Sequence, residues 1–229
     1  MTTAIITGGS KGIGFGIAEL FVKKGYNVVI CSRADANLLE ARRKLGEGVL
    51  ALKCDVANYG EVQNVFQTAQ KHFGRIDILV NSAAIISNAL VDDLEISEFD
   101  RMLDVNLKGS FYCIKEAFKY MVSGGSIVNM TSLGGISGYE KFPGFSAYSI
   151  SKYAVSGMSE ILAVESKEKN IRINAIALGA VNTDMLAKAA PGLKSKTEAR
   201  DIAPIIDFLC DKEQSGHMNG SVIPVNTNL

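Results

Sequence analysis

Histidine is scarce in this chain, occurring only as His72 and His217, which excludes any site built from three or more imidazoles. The four cysteines, Cys31, Cys54, Cys113 and Cys210, lie far apart and form no CxxC or Cys/His cluster. No metal site is therefore expected, and buried reduced thiols are. Net charge is missing too, because 24 Lys+Arg balance 24 Asp+Glu without an acidic or basic block. Such a surface offers no complementary field to nucleic acid or to an anionic membrane, so neither is expected as a partner. No apolar run approaches the length of a membrane span. Met1-Thr2-Thr3 passes straight into an apolar stretch, leaving no room for a signal peptide, and a cytoplasmic location is expected. Repeats, low-complexity tracts and linkers are likewise absent. Residues 1–229 therefore read as one domain, near the upper size for a single α/β unit.

What the chain does have is apolar content, 47% of it, arranged in short β-branched runs that alternate with longer amphipathic ones. Strands are expected over 4–7, 27–32, 49–54, 76–81, 126–131, 172–177 and 221–225. Helical stretches are expected over 12–24, 59–73, 97–121 (as two helices), 147–169 and 197–210. Strands that alternate with helices make a parallel sheet covered on both faces. The fold class is α/β, a doubly wound parallel sheet of about seven strands. His72 closes the helix before the fourth strand, where a cation suits the helix dipole, and no chemical role is assigned to it.

Between the first strand and the first helix lies Thr7-Gly8-Gly9-Ser10-Lys11-Gly12-Ile13-Gly14. Glycines in that place permit a tight turn and bring backbone amides close to a diphosphate resting on the helix N-terminus. Gly8, Ser10, Lys11, Gly12, Ile13 and Gly14 are accordingly candidate nucleotide contacts. The end of the second strand selects among dinucleotides. A carboxylate there would bind the adenosine ribose and repel a 2′-phosphate. This chain instead has Cys31-Ser32-Arg33, with no acid before Asp35. Arg33 and Lys11 can clamp a 2′-phosphate while Ser32 donates a hydrogen bond, so NADP(H) is the expected cofactor. The competing reading of Arg33 is a solvated surface arginine.

Tyr148 and Lys152 stand four apart, which on a helix places a phenol and an ammonium about one turn apart on one face. A phenol titrates near 10 in water, and a neighbouring cation is expected to lower that value and make it a proton shuttle. With the pattern Thr7-Gly8-x-x-x-Gly12-x-Gly14, this Tyr148-x-x-x-Lys152 run resembles the short-chain dehydrogenase/reductase family, a Rossmann-type three-layer sandwich. Other landmarks fall in register from Met1 to about Val225. Asp55-Val56 resembles the family's adenine-contacting pair, and Asn81-Ser82-Ala83-Ala84 its strand-four motif, with Asn81 and Ala83 as cofactor contacts. Asn106 and Ser132 match its catalytic asparagine and serine, and Gly179, Val181 and Thr183 its nicotinamide loop. The resemblance implies catalysis by Asn106, Ser132, Tyr148 and Lys152. Ser132 and Tyr148 would bind a substrate carbonyl, Lys152 would also hold the nicotinamide ribose, and Asn106 would anchor a water for proton resupply. The implied function is reduction of a ketone or aldehyde, 3-oxoacyl compounds among the candidates, or oxidation of the matching alcohol.

Several positions depart from that pattern. Ser82 and Ala84 replace an asparagine and a glycine, and Leu178 stands where a proline is usual, which leaves the stiffness of the nicotinamide loop open. Tyr139-Glu140-Lys141 reads as an insertion at the pocket rim. By the resemblance, residues 184–198 are expected to form a short substrate lid, whose Lys188, Lys194 and Lys196 either greet an anionic substrate or solvate a mobile segment. Phe111, Tyr112, Ile114, Phe118 and Met121 make an apolar stripe for the core. The resemblance implies that this helix and the one carrying Tyr148 pair between subunits, as a homodimer or homotetramer. A non-catalytic NADP(H)-sensing protein on the same fold is the alternative function, although such proteins typically lose the tyrosine or lysine retained here.

Overall fold

The computed structural model describes residues 1–227, so the last two residues of the expected 1–229 domain lie outside the described residues. The first half of the chain runs β1 (Thr3–Thr7), α1 (Gly12–Lys23), β2 (Asn27–Ser32), α2 (Asp35–Leu45), β3 (Leu50–Lys53), α3 (Tyr59–Phe73) and β4 (Ile76–Asn81). Then follow α4 (Ile96–Leu103), a π-helical turn (Asp104–Lys108), α5 (Gly109–Tyr120) and β5 (Met121–Ser132). A 3₁₀ turn (Leu133–Gly135) leads towards α6 (Ser146–Glu165), a second 3₁₀ turn (Ser166–Lys169) and β6 (Arg172–Leu178). The chain finishes with α7 (Asp184–Ala189), α8 (Ala199–Cys210), α9 (Lys212–Ser215) and β7 (Val222–Val225).

The strands form a seven-stranded sheet in the order β3-β2-β1-β4-β5-β6-β7, parallel throughout. Each inner strand is buried on both faces. On β1, Ala4 and Ile6 face a core shared with Ile17 and Phe21 of α1, Leu38 of α2 and Ile206 of α8. Ile5, one residue out of phase, joins Val62 and Phe66 of α3, Ile114 of α5 and Leu162 of α6 on the other side. Continuous apolar strands thus match a sheet sandwiched between two helical layers. The chain winds outward from β1 to β3, then returns to lay β4 on the opposite side of β1. At that reversal the chain leaves β1 for α1 on one face and β4 for α5 on the other, which opens a crevice at the carboxyl ends of the strands.

Local signals explain most boundaries. Asn58 caps α3 by accepting from the Gly60 and Glu61 amides at 3.0 and 3.3 Å, a contribution of about 1 kcal/mol, and Gly74 closes it at φ +74°. The stretch expected over 97–121 does divide in two, with the π-turn at the junction. Gly109, just past that turn, touches Val56 so closely that a Cβ would lie 2.7 Å from its methyl. β5 is longer than the expected 126–131 because it begins at Met121 and crosses a register irregularity opposite Ile76–Ile78. α2 forms on an amphipathic repeat of Leu38, Ala41 and Leu45, all turned inward. None of the helices in the described residues is long and apolar enough to cross a membrane.

Candidate active site

The glycine loop is built for close approach. Gly8 has φ +66°, and a Cβ on it would stand 2.9 Å from the Ala83 Cα, so the loops after β1 and β4 meet across the crevice at a glycine. Thr7 Oγ1 locks this contact by accepting from the Ser82 and Ala83 amides, each at 3.1 Å. Gly14 lies against the Gly8 carbonyl, where a side chain would come within 2.6 Å. Lys11, the N-cap of α1, provides no side-chain cap, so protein side chains leave the first-turn amides free for an anion. Ile13 packs towards the core, which leaves its backbone for a ligand. Ser10 is half-buried in the same loop.

At the end of β2, the Ser32 hydroxyl is buried without a hydrogen-bond partner, an unusual state for a buried polar atom. Arg33 beside it is exposed and joins no ion pair among the described residues. The nearest acid in sequence, Asp35, is occupied by Lys53 at 2.7 Å. Lys11 instead reaches Asp184 at 3.9 Å in an exposed pair, which costs little to release. These groups fit a phosphorylated adenosine ribose: a vacant buried hydroxyl, an uncommitted guanidinium and a carboxylate already neutralised. Asp55 follows β3 and pairs with Arg101 of α4 while accepting from the Ala57 amide at 3.0 Å. Burial opposes its ionisation, but Arg101, the amide and Arg33 together hold its pKa below the usual carboxylate range. Val56 is buried against Gly109. Arg101 was not anticipated; nothing in sequence links residues 46 apart until α4 folds over β3.

Ser132 ends β5, and Tyr148 and Lys152 lie on the first turns of α6. Lys152 is buried, and its ammonium donates to the Met130 carbonyl at 2.8 Å. Burial pulls its pKa down to about 8. Its Nζ stands 5.7 Å from the centre of the Tyr148 ring. Tyr148 is half-buried as a residue, yet desolvation pushes its phenol up to about 12, with only Ser132 pulling the other way. The expected lowering by Lys152 is therefore not what the protein shows. In this pocket desolvation outweighs a cation at that distance, and at neutral pH the phenol is a held proton.

Asn106 sits in the π-turn, fully buried. Its Oδ1 accepts from the Ile85 amide at 2.8 Å, while Nδ2 donates to the Ile85 carbonyl at 3.0 Å and to Ser151 Oγ at 2.9 Å. Both amide hydrogens are used, so a water there would donate to the second lone pair of Oδ1 or to the backbone carbonyl, which also accepts from Ser110 Oγ at 2.9 Å. Asn106 ties the loop after β4 to α6, since Ser151 also donates to the Tyr148 carbonyl at 2.7 Å. On the remaining side, Gly179 is pinned to the Val225 carbonyl at 3.0 Å and leaves no room for a side chain beside Thr227 Oγ1. That pairing supplies the rigidity that Leu178 in place of proline had left open. Val181 is buried in the core, so only its backbone is available. Thr183 caps α7 and lies across from Gly12.

Four positioning residues, Asn129, Thr131, Ser156 and Ser159, were missed in sequence. Asn81 donates to Asn129 Oδ1 at 2.8 Å and Asn129 to Ser159 Oγ at 2.9 Å, a fully buried chain joining β4, β5 and α6. Thr131 and Ser156 both bond the Lys152 carbonyl, at 2.8 and 2.9 Å. Asn129 and Thr131, two apart in the apolar stretch that starts at Ile127, were the available clue, because both face α6. The 139–141 insertion turns back on the site: Lys141 donates to the Leu133 and Ile136 carbonyls at 3.1 and 2.7 Å and lies over the Tyr153 ring.

Comparison with known proteins agrees with this geometry. A profile of the short chain dehydrogenase family matches residues 2–194. The human protein named 3-oxoacyl-[acyl-carrier-protein] reductase is 37% identical, over 98% of this chain and 96% of that one. Carbonyl reductase family member 4 of Danio rerio is 34% identical over 99% and 97%. Among solved structures, a short-chain dehydrogenase/reductase mutant of Serratia marcescens superposes with a TM-score of 0.89 at 27% identity, covering 99% of this chain and 96% of that one. The chain belongs to the short-chain dehydrogenase/reductase family. It is an oxidoreductase of carbonyl and alcohol groups that works with a nicotinamide cofactor.

Proposed function

We propose that the protein is an NADP(H)-dependent reductase of ketones or aldehydes, with secondary-alcohol oxidation as the reverse reaction. The observation that carries this reading is the convergence of Ser132, a protonated Tyr148 and a buried Lys152 at one strand edge. Gly8, Ser10, Lys11, Gly12, Ile13 and Gly14 would hold the diphosphate, Ser32 and Arg33 the 2′-phosphate, and Asp55, Val56, Asn81 and Ala83 the adenosine. Gly179, Val181 and Thr183 would hold the nicotinamide. When bound, the reduced nicotinamide supplies the hydride that the substrate carbon receives. Ser132 and Tyr148 donate hydrogen bonds to the carbonyl oxygen, and Tyr148 releases its proton to the developing alkoxide. Lys152, charged below about pH 8, stabilises the phenolate left behind. Asn106 fixes the turn that orients Tyr148, through Ser151.

The names of the relatives support carbonyl compounds, including a 3-oxoacyl thioester, as the substrates to try first. One domain over 1–229 with a short lid over 184–198, a cytoplasmic location and assembly as a homodimer or homotetramer complete the proposal. The test is NADPH absorbance with a panel of ketones, aldehydes and a 3-oxoacyl thioester, alongside titration of NADPH and NADH. Turnover with the panel and tighter NADPH binding are expected. Tyr148→Phe should abolish turnover and leave cofactor affinity intact. Equal or tighter NADH binding would overturn the cofactor assignment, and no oxidation with any carbonyl would favour the nucleotide sensor.

A further inference from the structure

Three loops leave the carboxyl edge of neighbouring strands around Ser132 and Tyr148: 82–95 after β4, 136–145 before α6, and 179–198 after β6. Two hydrogen bonds stitch them together at one place. Asn88 Nδ2 donates to the Ala189 carbonyl at 3.0 Å, and the Ala89 amide donates to the Gly144 carbonyl at 2.9 Å. The backbone at Gly144 is shaped for this crossing. It has φ +83°, and a Cβ there would fall 2.0 Å from Asn88 Oδ1, so only glycine lets the amide pass.

The 179–198 segment is secured near its ends by its own bonds. Asn182 donates to the Thr197 carbonyl at 2.8 Å and to Glu198 Oε1 at 2.7 Å, while Ser195 donates to the Ala180 carbonyl at 2.7 Å. Between them, among the described residues, the hydrogen bond from Asn88 is the only one joining 185–194 to a residue outside 179–198. It arrives at Ala189, the one buried residue of α7. A segment held at both ends and at a single midpoint has two states, midpoint made or midpoint broken.

We infer that Asn88 is a positioning residue that latches the 184–198 segment across the pocket mouth and thereby limits the size of carbonyl compound admitted. The inference rests on the reductase reading, because size selection has meaning only if carbonyl compounds enter there. Among the described residues Asn88 makes no hydrogen bond to Ser132, Tyr148 or Lys152, so breaking the latch changes access and leaves proton transfer in place.

The decisive variant is Asn88→Asp, which keeps the shape and removes the donor, placing a carboxylate oxygen against the Ala189 carbonyl. Asn88→Ala is the second variant, and thermal melts of the full-length proteins confirm folding. Amide hydrogen exchange over 185–193 should accelerate by about fivefold or more in both, the loss of one net hydrogen bond. With NADPH, the kcat/KM ratio of a bulky aryl or cyclic ketone to a small aliphatic aldehyde should rise by about fivefold on the same scale, with NADPH affinity unchanged. A residue that merely supports the fold would depress all substrates alike, and that result overturns the inference. Unchanged exchange also overturns it. Should the wild-type protein reduce no carbonyl, size selection falls together with the reductase reading, and exchange alone decides the latch.

Discussion

Burial moves the two titrating groups of the site in opposite directions, and each movement has a consequence. Tyr148 at about 12 is a proton held ready for an alkoxide, which suits the reductive direction at neutral pH. Lys152 at about 8 lies below its ordinary 10.5. Between those values the folded chain binds fewer protons than the unfolded chain, so stability rises as pH climbs from about 8 to 10.5. Below about pH 8 the full cost of a buried ammonium is present. Lys152→Met should therefore lose turnover while its Tm at pH 7 equals or exceeds that of the wild type. The difference should vanish near pH 10.5, as followed by thermal denaturation across that range. A uniformly lower Tm for the variant would show that the Met130 hydrogen bond outweighs the desolvation cost. Turnover itself should decline as pH passes about 8, when Lys152 loses the charge that stabilises the phenolate, which a pH profile of reductive kcat/KM would report.

At the scale of elements, the site depends on how closely α6 is laid on the turn after β5. A Cβ on Gly135 would stand 2.5 Å from Lys152 Cβ and 2.6 Å from its carbonyl carbon, so backbone must shift to admit even a methyl. Thr131, Ser156 and the Gly135 carbonyl then hold α6 in that groove. Gly135→Ala is expected to lower kcat by about tenfold to hundredfold, since displacement of a reacting group by about 1 Å has that effect. Gly48→Ala, which meets nothing within 4 Å, serves as the control and should leave kcat unchanged. Equal activity in both variants would mean that α6 can move without disturbing Tyr148. The π-turn belongs to the same design, because it carries Asn106 between the loop after β4 and Ser151. No hydrophobic period announces such a turn; it is imposed by side chains far apart in sequence.

For the whole molecule, the outer face of α6 displays Ile150, Tyr153, Ile161 and Val164, with Gly157 open among them. These positions repeat at helical spacing, and Ile161 and Val164 are each 64% exposed. On α5, Phe111 is also exposed. An exposed apolar stripe of this kind is what a two-fold interface buries. Ile161→Arg is expected to lower the mass found by sedimentation from that of a dimer or tetramer to a smaller species, without loss of secondary structure. A monomeric wild type would refute the proposed assembly.

The sequence by itself determined the fold class and the identity of the chemical groups. Short continuous β-branched runs and helix-period amphipathic runs dictated strand or helix, and the glycine loop and Tyr148-x-x-x-Lys152 are local strings that can be recognised without coordinates. Tertiary structure decided how those groups are tuned and held. Desolvation of Tyr148, the engagement of Asn106, the pairing of Asp55 with Arg101 and the bond from Asn88 to Ala189 all join residues distant along the chain. Their energies depend on dielectric surroundings and on distances of a few ångströms, and those exist only after the sheet has brought its loops to one edge.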